Sequence, residues 1–244
     1  MMKLTNVMIV SLLMCLIVMT AGAVCAEPGQ WGDEAELSYV DTSGNSEVTT
    51  LSAKNKLTYQ FTDKMTGLWK VEALNGKSDG ERNAESYYSE LRGDFLSTDR
   101  IFYYTNASWA KDSFANVDSR IIIGAGSGYK ALVGPEHILQ FEAGLTYTIE
   151  ELAGDSNDEY VGGRLFGCYE YHFNEKSKVT QTLELLLDLE ETSNYLVNSE
   201  TALVTALNSV LSFKTSYVIA YDNEPADGVD DTDTVLGVSL VANF

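Results

Sequence analysis

The sequence predicts an all-β protein: a single antiparallel up-and-down transmembrane β-barrel of about twelve strands. Three observations support this prediction. The chain begins with an export signal, its remainder alternates apolar and polar residues, and the connections between the alternating segments are short and long in turn. Together they describe a chain that is exported and then crosses a membrane with strands.

The export signal is predicted at residues 1–26. A short basic start precedes an apolar run at 7–19, and small residues then lead into a polar segment. This order is typical of a secretory signal peptide, and the apolar run is short for a membrane-spanning helix. Cleavage after Ala23 or Ala26 leaves one predicted barrel domain at residues 27–244.

Alternation with a period of two is clearest at the end of the chain. Leu236, Val238, Leu240 and Phe244 fall on one face, and the residues between them are mostly small or polar. Such alternation is typical of a strand with one apolar and one polar face. The same pattern predicts strands near residues 32–41, 48–61, 66–75, 84–97, 100–111, 119–131, 137–149, 161–173, 179–189, 194–206, 211–221 and 236–244.

The connections between these segments form two interleaved sets. The short set comprises residues 62–64, 97–99, 133–136, 174–176 and 207–209. The other set, mostly longer and rich in acidic residues or glycine, comprises residues 42–47, 76–83, 113–119, 153–158, 191–193 and 223–231. Outer-membrane barrels have short periplasmic turns and longer extracellular loops, so this asymmetry predicts that both termini face the periplasm. A soluble sandwich also alternates apolar and polar residues, but nothing in it requires turn lengths to alternate.

Charge and cysteine content exclude several other classes. Sixteen lysines and arginines stand against 36 aspartates and glutamates, for a formal net charge of -20. Such a chain repels phosphate backbones, so nucleic-acid binding is not expected. With cleavage after Ala26, Cys15 and Cys25 are removed with the signal, which leaves Cys168 alone in the mature chain and excludes an intramolecular disulfide.

The last residue adds an assembly signal to the barrel prediction. The chain ends in Phe244, an aromatic residue that closes an alternating strand. Outer-membrane barrels commonly end in this way, and the barrel-assembly machinery recognises that closing strand. We therefore expect the assembly machinery, the outer-membrane bilayer and its lipopolysaccharide as partners, and no cofactor.

Several short segments resemble a known family. They are residues 37–47, 49–53, 91–95, 98–100, 109–112, 118–120, 124–129, 198–201 and 221–225. These segments are similar to those of the YdiY-like family of unknown function, whose members are often labelled salt-induced outer membrane proteins. The resemblance spans nearly the whole mature chain. It implies an outer-membrane barrel with a role in salt or osmotic stress and no catalytic residues.

Charged residues on the polar faces of two predicted strands are the candidates for lining the lumen. Glu90, Arg92 and Asp94 share one face, and Arg164 and Glu170 share another. If water fills the lumen, these side chains tune the passage of ions. If it does not, they pair with one another and fill a narrow barrel.

Aromatic residues near the predicted strand ends are candidates for the girdles that mark the two membrane interfaces. The residues assigned to them are Trp31, Trp69, Trp109, Tyr169, Tyr171 and Phe244, together with Tyr87 and Tyr103. A soluble barrel would bury these rings in its core instead.

The sequence offers only weak candidates for a catalytic site, a nucleotide site or a metal site. His137 and His172 each stand beside a predicted short turn, on the periplasmic side, whereas an enzyme acting on outer-leaflet lipid needs its site at the opposite rim. The glycines of 124–128 lack a following helix or P-loop lysine, so strand packing is favoured over nucleotide binding. Asp227, Asp230, Asp231 and Asp233 offer oxygen ligands for calcium or magnesium, but their spacing is not that of an EF-hand.

Two functional classes follow from these observations. The first is a narrow passive pore or an envelope-stress barrel. The second is a non-conducting structural or adhesive barrel whose acidic loops carry the function. An outer-membrane lipid hydrolase is the third and least favoured, so we do not expect an enzyme.

Overall fold

The computed structural model describes residues 28–42, 48–78, 81–113, 115–152, 157–225 and 230–244. The predicted signal peptide lies outside these residues, and its cleavage stays a prediction. Among the described residues, no helix is long and apolar enough to span a membrane. Nearly all of the described chain is in strands: β1 Trp31–Thr42, β2 Val48–Thr62, β3 Met65–Ser78, β4 Glu81–Leu96, β5 Ile101–Asp112, β6 Val117–Val133, β7 His137–Leu152, β8 Asp158–Asn174, β9 Ser177–Asp188, β10 Tyr195–Ala206, β11 Leu211–Asp222 and β12 Thr232–Asn243.

These strands close into a barrel, which confirms the predicted fold class. Each strand pairs antiparallel with its neighbour in sequence, and β12 returns to pair with β1. The up-and-down order follows from short connections, because a short turn can join only adjacent antiparallel strands. Closure matters because an open sheet edge would leave backbone N–H and C=O groups unpaired inside a membrane, where no water can bind them.

The junction between β1 and β12, which we call the seam, is short. Residues 34–38 of β1 pair with residues 239–243 of β12, which gives five paired positions. By contrast, β1 pairs with β2 along all twelve of its residues. At one end of the seam, the Phe244 N–H donates to the Asp33 carbonyl over 2.8 Å, and the Asp33 N–H donates to the Phe244 carbonyl over 3.0 Å. The C-terminal residue therefore takes part in closing the barrel.

The wall of the barrel is apolar outside and polar inside. Leu91, Leu145 and Leu236 on the outer face are 62%, 64% and 67% exposed, whereas Glu142 and Thr148 on the inner face are 4% and 3% exposed. In a water-soluble protein the apolar side chains would occupy the core instead. The reversed arrangement is that of a barrel whose outer wall contacts lipid.

The connections gather at two ends of the barrel. The turn end carries residues 63–64, 97–100, 134–136, 175–176 and 207–210 together with the start of β1 and Phe244, and the described residues at the loop end are 113, 115–116, 157, 189–194, 223–225 and 230–231. The predicted loop at 76–83 is wrong, because β3 runs to Ser78 and β4 begins at Glu81. The ladder continues past a register shift at Gly76 and Lys77, so the backbone of this polar segment is still paired.

Candidate functional site in the barrel lumen

A network of arginines and carboxylates crosses the interior between strands that are not neighbours. The Arg92 guanidinium on β4 donates two hydrogen bonds to the Glu142 carboxylate on β7, over 3.0 and 2.8 Å. Arg164 on β8 donates a third bond to the same carboxylate, over 2.7 Å. Glu142 is therefore held between two guanidinium groups, and β4 is tied to β7 across β5 and β6.

Two more carboxylates complete this network, which we call the arginine bridge (Arg92, Asp94, Glu142, Arg164 and Glu184). Arg92 also pairs with Asp94 on its own strand over 2.8 Å. Arg164 donates through Nε to Glu184 on β9 over 2.7 Å. The Glu142 side chain is only 1% exposed. A charge so buried is stable only because its partners satisfy it with good geometry.

The aromatic ring of Tyr104 on β5 packs against both guanidinium groups. Its ring centroid lies 4.5 Å from the Arg92 guanidinium carbon and 5.4 Å from that of Arg164. A cation over an aromatic face is attracted by the ring's quadrupole. The arginine bridge is therefore packed against a buried aromatic ring.

A stripe of glycines on the inner face of β6 makes room for this ring. A Cβ atom at Gly126 would lie 2.3 Å from the Ala143 carbonyl oxygen and 2.8 Å from the Tyr104 ring. At Gly128 it would lie 2.1 Å from the Phe102 ring, and at Gly124 it would lie 2.6 Å from the Asn106 side chain. The inward side chains of β5 therefore extend over the β6 backbone at its glycines, which have no side chains to block them. The packing interpretation of residues 124–128 is confirmed.

A second charged group lies on the opposite side of the lumen. The Lys214 ammonium on β11 pairs with Glu36 over 2.9 Å and with Glu200 over 2.6 Å. Glu72 on β3 pairs with Lys70 and, over 3.6 Å, with Lys54. The lysines and glutamates alternate around the wall, so positive and negative charges face the same space.

This space is a cavity of about 420 Å³ toward the turn end of the barrel, which we call the lysine cavity. Polar residues such as Thr180, Thr182 and Ser212 complete its wall, and the Cys168 side chain is half-buried beside them. Its charged lining consists of Lys54, Lys56, Lys70, Lys178, Lys214, Glu34, Glu36, Glu72 and Glu200. The described interior therefore has a packed side at β4–β8 and a hollow, charged side at β1–β3 and β9–β12.

Acidic residues dominate the loop end of the interior. Asp222 and Asp233 occupy inner-face positions, because their cross-strand partners Leu196 and Ala220 do so. Arg120 pairs with Glu150 there. Among the described residues, no cluster of three or more His, Cys, Asp or Glu side chains is placed to hold a metal ion. Asp227 and Gly228 of the suggested calcium loop lie outside the described chain.

The five residues predicted to line the lumen do not form one group. Arg92, Asp94 and Arg164 belong to the arginine bridge. Glu90 instead accepts hydrogen bonds from Asn106 over 3.1 Å and from Tyr88 over 3.2 Å. Glu170 pairs with Lys178 over 2.7 Å, nearer the turn end.

Sequence reasoning missed the residue at the centre of the bridge. Glu142 lies on the polar face of the segment predicted at 137–149, and Glu184 lies on that of 179–189. Alternation therefore placed both on the inside, but it contains no information about which arginine each would meet. The lysine cavity was missed for the same reason, since its charges come from six different strands.

The aromatic residues predicted for the girdles occupy outward positions. Trp31 and Trp69 are well exposed toward the turn end, and Trp109 is exposed near the loop end, where its Nε1 donates to Ser119 over 3.2 Å. Tyr169 and Tyr171 are half-buried beside His137. Phe244, at the end of the chain, is also half-buried. Tyr103 is exposed toward the turn end and Tyr87 toward the loop end. The turn-end aromatics that sequence reasoning missed include Tyr59, Phe61, Phe95 and Phe173.

Both histidines lie at the turn end, at opposite faces of the wall. His137 Nδ1 lies 2.8 Å from the Tyr169 hydroxyl on the outside. His172 Nε2 lies 3.5 Å from a Glu170 carboxylate oxygen on the inside. In the part of the chain that the structure describes, no hydrogen bond joins either histidine to a serine, as acyl-transfer chemistry would need.

Comparison with known proteins places the chain in a family. The family described as "Protein of unknown function, DUF481" matches residues 35–244. The uncharacterized protein YdiY of Escherichia coli (strain K12) is 29% identical over 203 residues, which cover 83% of this chain and 79% of that protein.

Solved structures with the same fold are bacterial outer-membrane barrels. The COG4313 outer membrane channel from Pseudomonas putida F1 has a TM-score of 0.55 at 12% identity and covers 93% of this chain and 100% of its own. The translocator domain of the autotransporter NalP from Neisseria meningitidis has a TM-score of 0.52 at 8% identity, with coverages of 98% and 94%. The NanC porin has a TM-score of 0.50 at 8% identity, with coverages of 87% and 97%. At these identities the likeness is one of fold.

Proposed function

The chain belongs to the DUF481 family of unknown function, and we propose that it is a bacterial outer-membrane barrel that forms a narrow passive pore for small solutes. Family membership confirms the resemblance to YdiY-like proteins drawn from the sequence. Two proteins with the same fold are named a channel and a porin, and none of the three compared above is named an enzyme.

The observation that carries the proposal is the lysine cavity. A barrel built only to sit in the membrane has no need of an internal space lined by ionised side chains, because each such group costs free energy unless water or a counter-charge satisfies it. A space of about 420 Å³ lies in the range of sites for small molecules. Its alternating charges suit water, ions and small polar solutes.

The expected result in a planar bilayer is a stepwise current from the refolded protein, with Lys214 contributing to its anion permeability. Replacing Lys214 with methionine removes one positive charge from the cavity wall. One unit charge about 10 Å away in water stabilises an anion and destabilises a cation by roughly 0.4 kcal/mol each, so the anion-to-cation permeability ratio should fall about fourfold. Reversal potentials in a salt gradient measure this ratio.

The matched control is Lys176→Met, which removes the same charge from an exposed turn outside the cavity. It should leave the reversal potential unchanged. A refolded wild-type protein with no stepwise current would overturn the pore proposal and leave the non-conducting barrel, with its acidic loop end as the functional surface.

The turn end faces the periplasm in this proposal, and the loop end faces outward toward lipopolysaccharide. This orientation follows from the short turns at one end and the longer loops at the other, and the acidic charge lies at the end with the longer loops. An enzyme acting on outer-leaflet lipid is disfavoured, because both histidines lie at the turn end. A role in salt or osmotic stress, which the sequence resemblance to YdiY-like proteins suggests, fits a pore for small solutes and is tested by solute uptake in a deletion strain at high salt.

Phe244 is the element we propose for recognition by the barrel-assembly machinery. Its reciprocal bonds with Asp33 make it part of the last junction to close. Deleting Phe244 is therefore expected to lower the amount of inserted protein at least severalfold in vivo.

Insertion can be read from the outward tryptophans Trp31, Trp69 and Trp109, whose fluorescence brominated lipids should quench if they form the predicted girdles. The control is removal of the whole Glu27–Pro28 dipeptide, which precedes β1 and should leave insertion intact. Equal insertion with and without Phe244 would remove its assembly role.

A further inference from the structure

The junction between β1 and β2 carries two pairs of opposite charges that face the lumen. Glu36 is the cross-strand partner of Lys54, and Glu34 is the partner of Lys56. All four residues line the lysine cavity. Opposite charges at such positions lie within reach of each other and can stabilise a ladder as ion pairs. Among the described residues, however, neither of these two cross-strand pairs forms an ion pair.

Glu36 and Lys54 instead bind partners on opposite sides of the junction. The Glu36 carboxylate reaches past β12 to the Lys214 ammonium on β11, over 2.9 Å, and accepts a hydrogen bond from the Ser239 hydroxyl over 2.8 Å. Lys54 reaches the other way, to Glu72 on β3 over 3.6 Å. The carboxylate of β1 and the ammonium group of β2 therefore diverge from the strand junction that they share.

Glu34 and Lys56 lie one step nearer the turn end and keep their charges unpaired. Both residues are exposed in the cavity wall, and neither forms an ion pair with any residue that the structure describes. Lys56 also faces Lys70, its cross-strand partner on β3, and like charges in that position repel each other. One carboxylate and one ammonium group are therefore open to a solute.

The cavity has two sides of opposite charge. On the side of β2 and β3, three ammonium groups accompany one carboxylate: Lys54, Lys56, Lys70 and Glu72. On the side of β1, β10 and β11, three carboxylates accompany one ammonium group: Glu34, Glu36, Glu200 and Lys214. Lys178, which also lines the cavity, pairs with Glu170 over 2.7 Å. The cavity is therefore polarised, and its positive and negative sides carry the same excess of charge.

Such a cavity complements a solute that carries both charges. An anion would be attracted by the lysines but repelled by the glutamates on the other side, and the reverse holds for a cation. A zwitterion meets both sides and adds no net charge. It also supplies the counter-charges for Lys56 and Glu34, whose ionised groups otherwise depend on water.

We propose that the lysine cavity binds a small zwitterion, with its carboxylate at Lys56 and its ammonium group at Glu34. The proposal rests on the pore function and names its solute class: compounds with one carboxylate and one ammonium group, such as amino acids. The cavity volume of about 420 Å³ accommodates a molecule of this size together with water.

Binding is tested by NMR titration of the full mature protein in micelles with 4-aminobutyrate, butyrate and butylammonium. The three probes share a four-carbon chain and differ only in their charged ends. The dissociation constant of 4-aminobutyrate should be at least about fivefold lower than that of either analogue, because each analogue lacks one charge–charge contact. The amide signals of residues 34–36 and 54–56 should shift. Equal affinity for butyrate or for butylammonium would overturn the zwitterion site.

The two open charges are tested by Lys56→Met and Glu34→Gln. Since neither residue has a described ion pair, both variants should fold, as heat-modifiable migration on gels will show. Each should weaken binding of 4-aminobutyrate about fivefold, the effect of one unit charge at contact distance in water. Lys56→Met should not weaken binding of butylammonium, which has no carboxylate. The matched controls are Lys176→Met and Glu175→Gln in an exposed turn, and they should bind as the wild type does. Wild-type affinity in either cavity variant would overturn the assignment of that residue and with it the proposed orientation.

Planar-bilayer recordings of the same wild-type protein separate this site from the pore. Stepwise current without selective binding of 4-aminobutyrate would overturn the zwitterion site and leave the pore. Selective binding without any stepwise current would overturn the pore and leave the site.

Discussion

Replacing Glu142 with glutamine is expected to lower the free energy of unfolding by about 2–3 kcal/mol, because Arg92 and Arg164 lose their charged hydrogen bonds to Glu142 while each keeps one other carboxylate. The substitution keeps the shape of the side chain but leaves Arg92 and Arg164 facing a neutral amide. Both guanidinium groups are largely buried, at 13% and 9% side-chain exposure, so water cannot replace the lost charge. Urea unfolding in micelles, followed by tryptophan fluorescence, measures the change.

The matched control for this variant is Asp118→Asn. Asp118 pairs with Lys111 over 3.5 Å, but its side chain is 52% exposed. Exposed pairs contribute about 0–1 kcal/mol, so this variant should be almost as stable as the wild type. Similar losses in the two variants would mean that the arginine bridge contributes no more than a surface pair.

Gly126→Ala is expected to destabilise the barrel by about 3 kcal/mol, at the upper end of the range for overpacking. The added Cβ would lie 2.3 Å from the Ala143 carbonyl oxygen and 2.7 Å from the Gly144 Cα. Both are backbone atoms of β7, so neither can move without distorting a junction between neighbouring strands. The same unfolding measurement applies, together with heat-modifiable migration on unboiled gels.

Gly93→Ala is the control, because it makes the same chemical change where there is room. The nearest side-chain atom to a Cβ at Gly93 is 3.9 Å away, on Thr105. Since alanine also restricts the unfolded chain more than glycine does, this variant should be neutral or slightly more stable, by up to about 1 kcal/mol. If Gly126→Ala proved equally well tolerated, the glycine stripe would have no packing role.

Strand positions were predictable from the sequence because a barrel wall imposes a period of two on nearly every segment. The last strand shows why: Leu236, Leu240 and Phe244 must meet lipid, while Ser239 faces the interior. The prediction failed at 76–83, where the strands continue beyond the apolar band. Outside that band no lipid selects for alternation, so a paired hairpin there has the composition of a loop.

The candidate site was predictable only as a set of inward charges. Alternation assigns Arg92 and Glu142 each to the inside. Their meeting, however, depends on the stagger of β4 against β7, with two strands between them, and on the space that Gly126 leaves for the Tyr104 ring. These quantities arise from the whole barrel.

The seam also has a consequence for the order in which the barrel folds. Hairpins such as β6–β7 join residues close in sequence, whereas Ser239 and Glu36, which share a hydrogen bond across the seam, are 203 positions apart. Bringing such distant residues together has the largest loop-closure entropy, and only five paired positions offset it. We therefore expect the pairing of β1 with β12 to be the last step of folding. Until that step is complete, the nascent sheet has two free edges that could pair with another chain.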